Sequence, residues 1–593
     1  MKLDHAAIGN GRVLALVAPD SSIDWLCLPR FDSPSVFARL LDLERGGNWA
    51  ILPAEGEVRG NLRYIPNTNV VSTHFEAAGA AWEVIDFAPR IPDGLTMRCP
   101  LAIVRLVRPL AGRPLLRVVF DPRPDYARRA PELRENSRGV EVGGFPGLEL
   151  VTNIPAPHIL SGRAFVLDQP LFMMLRLGTR DEPPSIARVQ HDLELTVAAW
   201  RAWVKNCALP PFASEQVIRS ALCLKLHASE DTGAIIAAAT TSVPEAIGTP
   251  RTWDYRYCWL RDAAFVVESL RYLGHLHEGE RFLRFLRDVA LAGPLQPVYG
   301  IDGERELPEI ALDHLAGFRG NGYVRIGNAA YMQQQNDVMG EMILCLDALL
   351  NDPRLAHEDS TGYFPLIRRL VEKAIARAPE PDMGIWEFRS MLRPYTFSRA
   401  MCWVAMSRGA RIARKAGHAD LGTMWEAQAA AEQEEILRRG YSTEHRCFTQ
   451  ALDGKFPDAS NLLLPTLGLL DAKDPRFLTT LDTYAERLVL DGLMLRYRND
   501  DDFGTPTSAF SICTFWWATA LAQAGRLKEA ITVFERIAGF ANPVGLFSED
   551  IDPSTGDLLG NFPQAYTHVG LIQAATTIGS LLEAERGHLL AWS

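Results

Sequence analysis

Two glutamates stand where a carboxyl could act as an acid or a base. Glu387 closes the run Gly384-Ile385-Trp386-Glu387, and Glu549 lies in Gly545-Leu546-Phe547-Ser548-Glu549-Asp550. Pro381 and Gly384 before the first, and Pro543 and Gly545 before the second, mark loops and not helix interiors. Breaking a glycosidic bond takes one group that keeps its proton until the leaving oxygen needs it, and another that draws a proton from water. Apolar cover favours the protonated form of a carboxyl, and Trp386 adjoins Glu387. Each run also fits an ordinary loop carboxylate in solvent. The residues by themselves leave both readings open.

Residues 252–262, Thr-Trp-Asp-Tyr-Arg-Tyr-Cys-Trp-Leu-Arg-Asp, crowd tryptophans and tyrosines beside Arg261 and Asp262, just before an apolar helix pattern. Asp262 there suits a helix N-cap. Flat rings beside charged groups are what a sugar site needs. Rings cover C–H faces, while guanidinium and carboxylate bond hydroxyls. Core aromatics beside a local ion pair would read the same. Residues 328–337 are rich in amides before another apolar run, as a hydroxyl-binding edge or as a cap. Arg496-Tyr497 opens a further loop. Other chemistries lack their motifs: there is no His-Glu-x-x-His, Walker loop, Gly-x-Gly-x-x-Gly or Gly-x-Ser-x-Gly. His275 and His277, flanking Leu276, read as core or surface histidines.

These residues need a scaffold, and 593 residues exceed what one compact core supports. Short stretches rich in Val, Ile, Leu, Trp and Phe at 12–18, 22–28, 69–76, 81–87, 101–108 and 115–121 are separated by Pro, Asn and Gly turns. That spacing predicts an antiparallel β-sandwich over 1–185. A polar stretch at 179–185 precedes a helical linker, 186–213. From 214 to 593 the apolar period becomes three to four. Helices are predicted at 214–229, 263–273, 278–291, 331–350, 364–378, 397–416, 421–439, 459–470, 475–490, 508–524, 527–540 and 564–585. Without a fixed-period repeat, two arrangements could bury such a series: a double ring of six inner and six outer helices, or an open stack.

A net charge of −11, with both signs dispersed, offers no basic patch for nucleic acid or an anionic membrane. It suits a neutral substrate. No run of 18 apolar residues would span a bilayer. The start, Met-Lys-Leu-Asp-His-Ala-Ala-Ile-Gly, has no apolar region before a cleavage site. The nine cysteines are scattered without a Cys-x-x-Cys pair, and Cys223, Cys345, Cys402 and Cys513 lie in apolar runs. Buried free thiols in the cytoplasm are the expectation.

Taken together and in order, the runs resemble glycoside hydrolase family 15, the glucoamylase, glucodextranase and trehalase-like family. The resemblance begins at Ile8-Gly9-Asn10-Gly11-Arg12 and at 22–32, Ser-Ile-Asp-Trp-Leu-Cys-Leu-Pro-Arg-Phe-Asp. It continues through 255–262, Val324-Arg325-Ile326-Gly327-Asn328, 384–387 and Cys402-Trp403-Val404-Ala405. It ends with Cys513-Thr514-Phe515-Trp516, 545–550 and 560–564. It implies an N-terminal antiparallel β-sandwich followed by an (α/α)6 barrel, which selects the ring over the open stack.

By the same resemblance Glu387 falls on the general acid and Glu549 on the general base of an inverting hydrolase. Trp259, Arg261 and Asp262 fall on the pocket for the non-reducing-end glucose, and Trp386 and Arg496 on substrate contacts. Tyr331 falls on the aromatic wall near the cleavage point. The implied reaction releases β-glucose from trehalose or from a malto- or isomalto-oligosaccharide, with no metal and no cofactor. A glucosyl transferase, a phosphorylase or a non-catalytic sugar-binding relative are the alternatives on this fold, and a homo-oligomer is left open. One departure stands out: where many relatives have a Glu before a small-Ala-Phe run, this chain has Thr507-Ser508-Ala509-Phe510.

Overall fold

The computed structural model describes residues 1–94, 96–178, 183–355 and 360–590. Residues 179–182, within the polar stretch expected at 179–185, lie outside them. The predicted strands form as Leu14–Val17, Ile23–Cys27, Val71–Ala77, Ala80–Phe87, Ala102–Ala111 and Leu115–Phe120. They belong to two antiparallel sheets, one of seven strands and one of eight. The first runs Ala6–Gly9, Leu14–Val17, Ile23–Cys27, Trp49–Pro53, Leu115–Phe120, Phe165–Val166, with Ser35–Phe37 on the flank of Ile23–Cys27. The second runs from Leu133–Asn136 at one edge, through Ala102–Ala111 and Ala80–Phe87, to Asn61–Tyr64 at the other.

Alternation sets the faces: along Leu115–Phe120 the buried residues are Leu116, Val118 and Phe120. A buried guanidinium ties the sheets together. Arg105 bonds Asp86 in its own sheet at 2.8 Å and the carbonyl of Trp49 in the other at 2.6 Å.

The helix Ile186–Lys205, capped by Ser185, follows the sandwich. Beyond it come the predicted helices, in inner and outer sets. The inner set is Leu260–Tyr272, Val338–Leu350, Thr396–Lys415, the pair Ala459–Leu463 and Leu464–Leu467, Ser511–Gln523, and Ala565–Leu590. Each packs on the next and the last packs on the first, which closes the ring. The outer set is Ser214–His227, His277–Ala292, Ser360–Arg377, Ala419–Arg439, Pro475–Leu488 and Leu527–Ala538. Burial separates the two sets. Ser511–Gln523 is buried on nearly every side, whereas Leu527–Ala538 buries only Ala530, Val533, Phe534 and Ile537, a three-to-four spacing. No helix among the described residues is long and apolar enough to cross a membrane.

Three expectations shift. The helix predicted at 331–350 starts at Val338, because the amides of 333–336 are occupied with other loops. The one predicted at 459–470 is a 3-10 turn and a short helix, which Gly468 ends in the left-handed region. Asp262 is not an N-cap. The strand Cys258–Trp259 runs straight into the helix at Leu260, which puts Asp262 in the first turn, where a negative charge meets the helix dipole.

The sandwich meets the barrel at a buried ion pair. Arg256 grips Asp254 through Nε at 2.9 Å and Nη2 at 2.6 Å. It also donates to the Ser33 carbonyl and to the Tyr126 hydroxyl, each at 2.8 Å, both contributed by the sandwich. Both partners of the pair are fully buried. Removing one leaves an uncompensated charge in a dry site, which costs about 3–5 kcal/mol. Arg256→Met is therefore expected to lower unfolding stability in denaturant by about that amount. A loss below about 1 kcal/mol would show the pair to be dispensable.

Candidate active site

The chain segments leading into the inner helices line one cavity. Trp259, Arg261 and Asp262 stand at the start of Leu260–Tyr272, Phe510 precedes Ser511–Gln523, and Gln564 and Tyr566 flank the start of Ala565–Leu590. Three of the six inner helices thus turn the positive ends of their dipoles toward this space.

Glu387 lines the cavity on a loop, with φ +60. A non-glycine residue in the left-handed region costs about 1–3 kcal/mol unless its surroundings impose it. Those surroundings are three donors that converge on a single oxygen. Trp259 Nε1 at 2.6 Å, Arg261 Nη2 at 3.0 Å and Gln335 Nε2 at 3.1 Å all meet Oε1. Among the described residues none donates to Oε2. Gln333 holds the Glu387 carbonyl at 3.2 Å.

Arg261 also donates to Asp337 at 2.9 Å and stands 3.9 Å from Asp262, so one guanidinium serves several buried carboxyls. Burial pushes the Asp262 carboxyl up to about 6, against the pull of Arg261 and reinforced by the charge of Glu387. Glu341, on the next inner helix, is held well above the usual carboxylate range by burial and by Asp337.

Glu549 is 1% exposed. Its Oε1 accepts the Tyr255 hydroxyl at 2.9 Å, and its Oε2 accepts the Asn561 amide at 3.3 Å. Burial pushes this carboxyl well up, and the charges of Glu245 and Asp550 add to the push, while Arg496 and the Tyr255 hydroxyl oppose it. Asp550 is pushed up to about 7 by burial and by Glu245. Glu245 accepts Trp253 Nε1 at 2.7 Å and pairs with Arg496.

Two rings connect the glutamates. Tyr255, bonded to Glu549, lies edge-to-face on Trp259 at 5.3 Å, and Trp259 is bonded to Glu387. Tyr255 and Trp259 are four residues apart in the sequence.

Of the residues singled out from sequence, Glu387, Trp259, Arg261, Asp262, Trp386 and Arg496 all line the cavity. Tyr331 is set back. It packs with Tyr255 against the small core that holds Trp259, while Ala330 and Gln333 beside it form the wall. The indole expected to cover Glu387 was the adjacent Trp386, but that ring donates to Asp458 at 2.9 Å, and Trp259 supplies the contact instead. The departure at Thr507-Ser508 falls beside Glu549: Ser508 Oγ donates to Asp550 at 2.7 Å. Tyr255, Asp550 and Gln335 lie in runs read as functional without being assigned a task. Glu245 lies in Ser-Val-Pro-Glu-Ala, where no pattern marks it.

Residues 211–576 match the sequence model of glycosyl hydrolases family 15, and residues 3–152 that of the trehalase-like N-terminal domain. The chain is 33% identical to a trehalase of Mycobacterium tuberculosis, over 97% of this chain and 89% of that protein. It is 32% identical to a trehalase of Thermoplasma volcanium, over 98% of this chain and 93% of the relative. A bacterial glucoamylase solved in complex with acarbose superposes with a TM-score of 0.67 at 14% identity, covering 98% of this chain and 94% of that one. This last likeness concerns the fold. The chain belongs to glycosyl hydrolases family 15 and is a glycoside hydrolase.

Gly560 makes the position of Glu549 testable. It has φ +70, and a Cβ there would lie 2.6 Å from the Glu549 Cβ and 2.7 Å from its Oε2. Gly560→Ala must either strain the turn or displace the carboxylate. A folded protein with at least about 100-fold lower kcat/KM on its glucoside substrate is expected, since an ångström of misplacement costs that much. Wild-type turnover would show that the carboxylate tolerates displacement.

Proposed function

We propose that this member of glycosyl hydrolases family 15 cleaves trehalose by single displacement with inversion, with Glu387 as general acid and Glu549 as general base. The observation that carries this reading is the Tyr255–Trp259 bridge: Glu387 lines the cavity with Tyr255, Trp259, Arg261 and Asp262, and Glu549, outside that lining, is joined to it through the Tyr255 hydroxyl. Trehalose as substrate is supported by the curated relatives named trehalase, alignable over nearly the whole chain. The nine cysteines, all unpaired, support action in a reducing cytoplasm.

In this mechanism the first glucose lies against Trp259, with Arg261 and Asp262 bonding its far hydroxyls. An oxygen already accepting three hydrogen bonds cannot also carry the proton, so the proton that Glu387 delivers rides on Oε2. It passes to the glycosidic oxygen as the C1–O bond breaks and the bonding pair leaves with that oxygen. Water attacks C1 from the opposite face, and Glu549 takes its proton. An oxocarbenium-like transition state gains from the surrounding carboxylates.

Glu549 works only when ionised. Its raised pKa therefore places the loss of kcat/KM on acidification above the ordinary carboxylate range. The Tyr255 hydroxyl bonds the ionised form and pulls that pKa down. Tyr255→Phe should consequently move the acidic limb of the pH–rate profile to still higher pH and lower kcat by about 10–100-fold. An unmoved limb would separate Tyr255 from the titrating group.

Glu387→Gln and Glu549→Gln are each expected to lower kcat on trehalose by at least about 1,000-fold while leaving the fold intact. NMR of fresh product should show one β-glucose and one α-glucose per trehalose, since only the attacked centre inverts. Two α-glucose molecules would mean retention, and near-wild-type turnover in either variant would refute its role.

A further inference from the structure

The cavity has two unlike ends. Trp259, Arg261 and Asp262 are buried at one end, whereas Trp253, Arg389, Asp502 and Phe503 at the other are only partly covered. The partly covered end begins two residues beyond Glu387, on the same loop.

At that end Trp253 stacks against two guanidinium groups, Arg389 at 4.6 Å and Arg325 at 5.0 Å from its ring centre. Phe503 meets it edge-to-face at 5.3 Å. Glu309 takes both terminal nitrogens of Arg389, one of them at 3.0 Å, and stands 3.5 Å from Arg325.

The segment carrying Phe503 is tied down on two sides. Asp502 accepts the main-chain amides of Arg389 at 2.6 Å and Ser390 at 2.9 Å. Asp501 accepts Arg251 and the Tyr497 hydroxyl, each at 2.6 Å. Arg251, Arg325 and Arg389 thus face Glu309, Asp501 and Asp502, so the charges cancel. A balanced set of donors and acceptors beside aromatic faces suits a neutral polyhydroxylated ring and not an ion. Glu309 uses two of the five N–H groups of Arg389, and carboxylate oxygens accept more than one bond, so capacity remains for hydroxyls.

We propose that Arg389 and Asp502, with the rings of Trp253 and Phe503, bind the departing sugar and so decide which leaving group the enzyme accepts. The assignment rests on reading Glu387 as the acid, because the acid stands beside the leaving oxygen. The ring cut at C1 is then held by Arg261 and Asp262, and the ring that leaves by the Arg389 end.

The test compares α,α-trehalose with α-D-glucosyl fluoride, which offers the same first glucose but loses fluoride in place of a sugar. Arg389→Met and Phe503→Leu should each lower kcat/KM for trehalose by about 10–100-fold. Each should leave kcat/KM for the fluoride within about threefold of wild type. Equal losses on both substrates would show that the residues merely support the pocket, and no loss on either that they do not touch the leaving sugar. Both results overturn the proposal. A wild-type enzyme that turns over the fluoride but no glucosyl disaccharide overturns it while the acid–base reading stands. A wild-type enzyme inert to both overturns the acid–base reading as well.

Discussion

The site depends on one ion pair that takes no part in the chemistry. Arg256 and Asp254 are buried completely, at a junction where water cannot screen or solvate them. Such a pair is tolerable only when its remaining donors and acceptors are filled. Here they are filled from both halves of the molecule, by Ser33 and Tyr126 of the sandwich and by the Gly327 amide of the barrel loops. The backbone between the two charged residues is therefore fixed relative to both domains. Tyr255 lies between them and Trp259 three residues beyond. The two rings that hold Glu549 and Glu387 thus take their positions from a contact that spans the domain boundary. This gives the sandwich a physical reason to be there.

A second constraint is the cost of collecting carboxyls in a dry cavity. Asp262, Asp337, Glu341 and Glu387 surround Arg261, and Glu245, Glu549 and Asp550 surround Arg496. Each guanidinium is outnumbered. Part of the excess shows in the carboxyls themselves, as burial and mutual repulsion push the pKa values of Asp262, Asp550, Glu341 and Glu549 up. Part is relieved by inner-helix N-termini, whose dipoles favour negative charge. Three inner helices that start at this cavity help to stabilise its acidic lining, and a neutral substrate disturbs that balance least.

The architecture was legible because two periods change over once along the chain. Period two with turn residues gives way to three-to-four spacing, and the described strands and helices follow it closely. What stayed hidden was set by contacts across long sequence gaps. Trp386 adjoins Glu387 in sequence, yet its side chain turns to Asp458 and leaves the carboxyl to Trp259. Gln333 and Gln335 looked like the start of a helix, but their amides are committed to Glu387. Glu245 carried no local signal at all, because its importance lies in reaching Arg496 and Trp253. The edge strand Leu133–Asn136, polar on most positions, had no apolar alternation by which to be seen.

The two glutamates finally differ in a way that their sequence runs do not disclose. Glu387 has one oxygen saturated by three donors and the other without a donor among the described residues, so its two oxygens are chemically unequal. Such a carboxyl is oriented, with a single edge from which a proton can depart. Glu549 has one donor on each oxygen and two carboxyl neighbours. It is the less oriented of the two. An acid must aim its proton at a lone pair on one particular oxygen, whereas a base takes its proton from a water that can turn toward it. The orientation of Glu387 suits the acid of the proposed reaction, and the Tyr255–Trp259 bridge sets the two environments side by side.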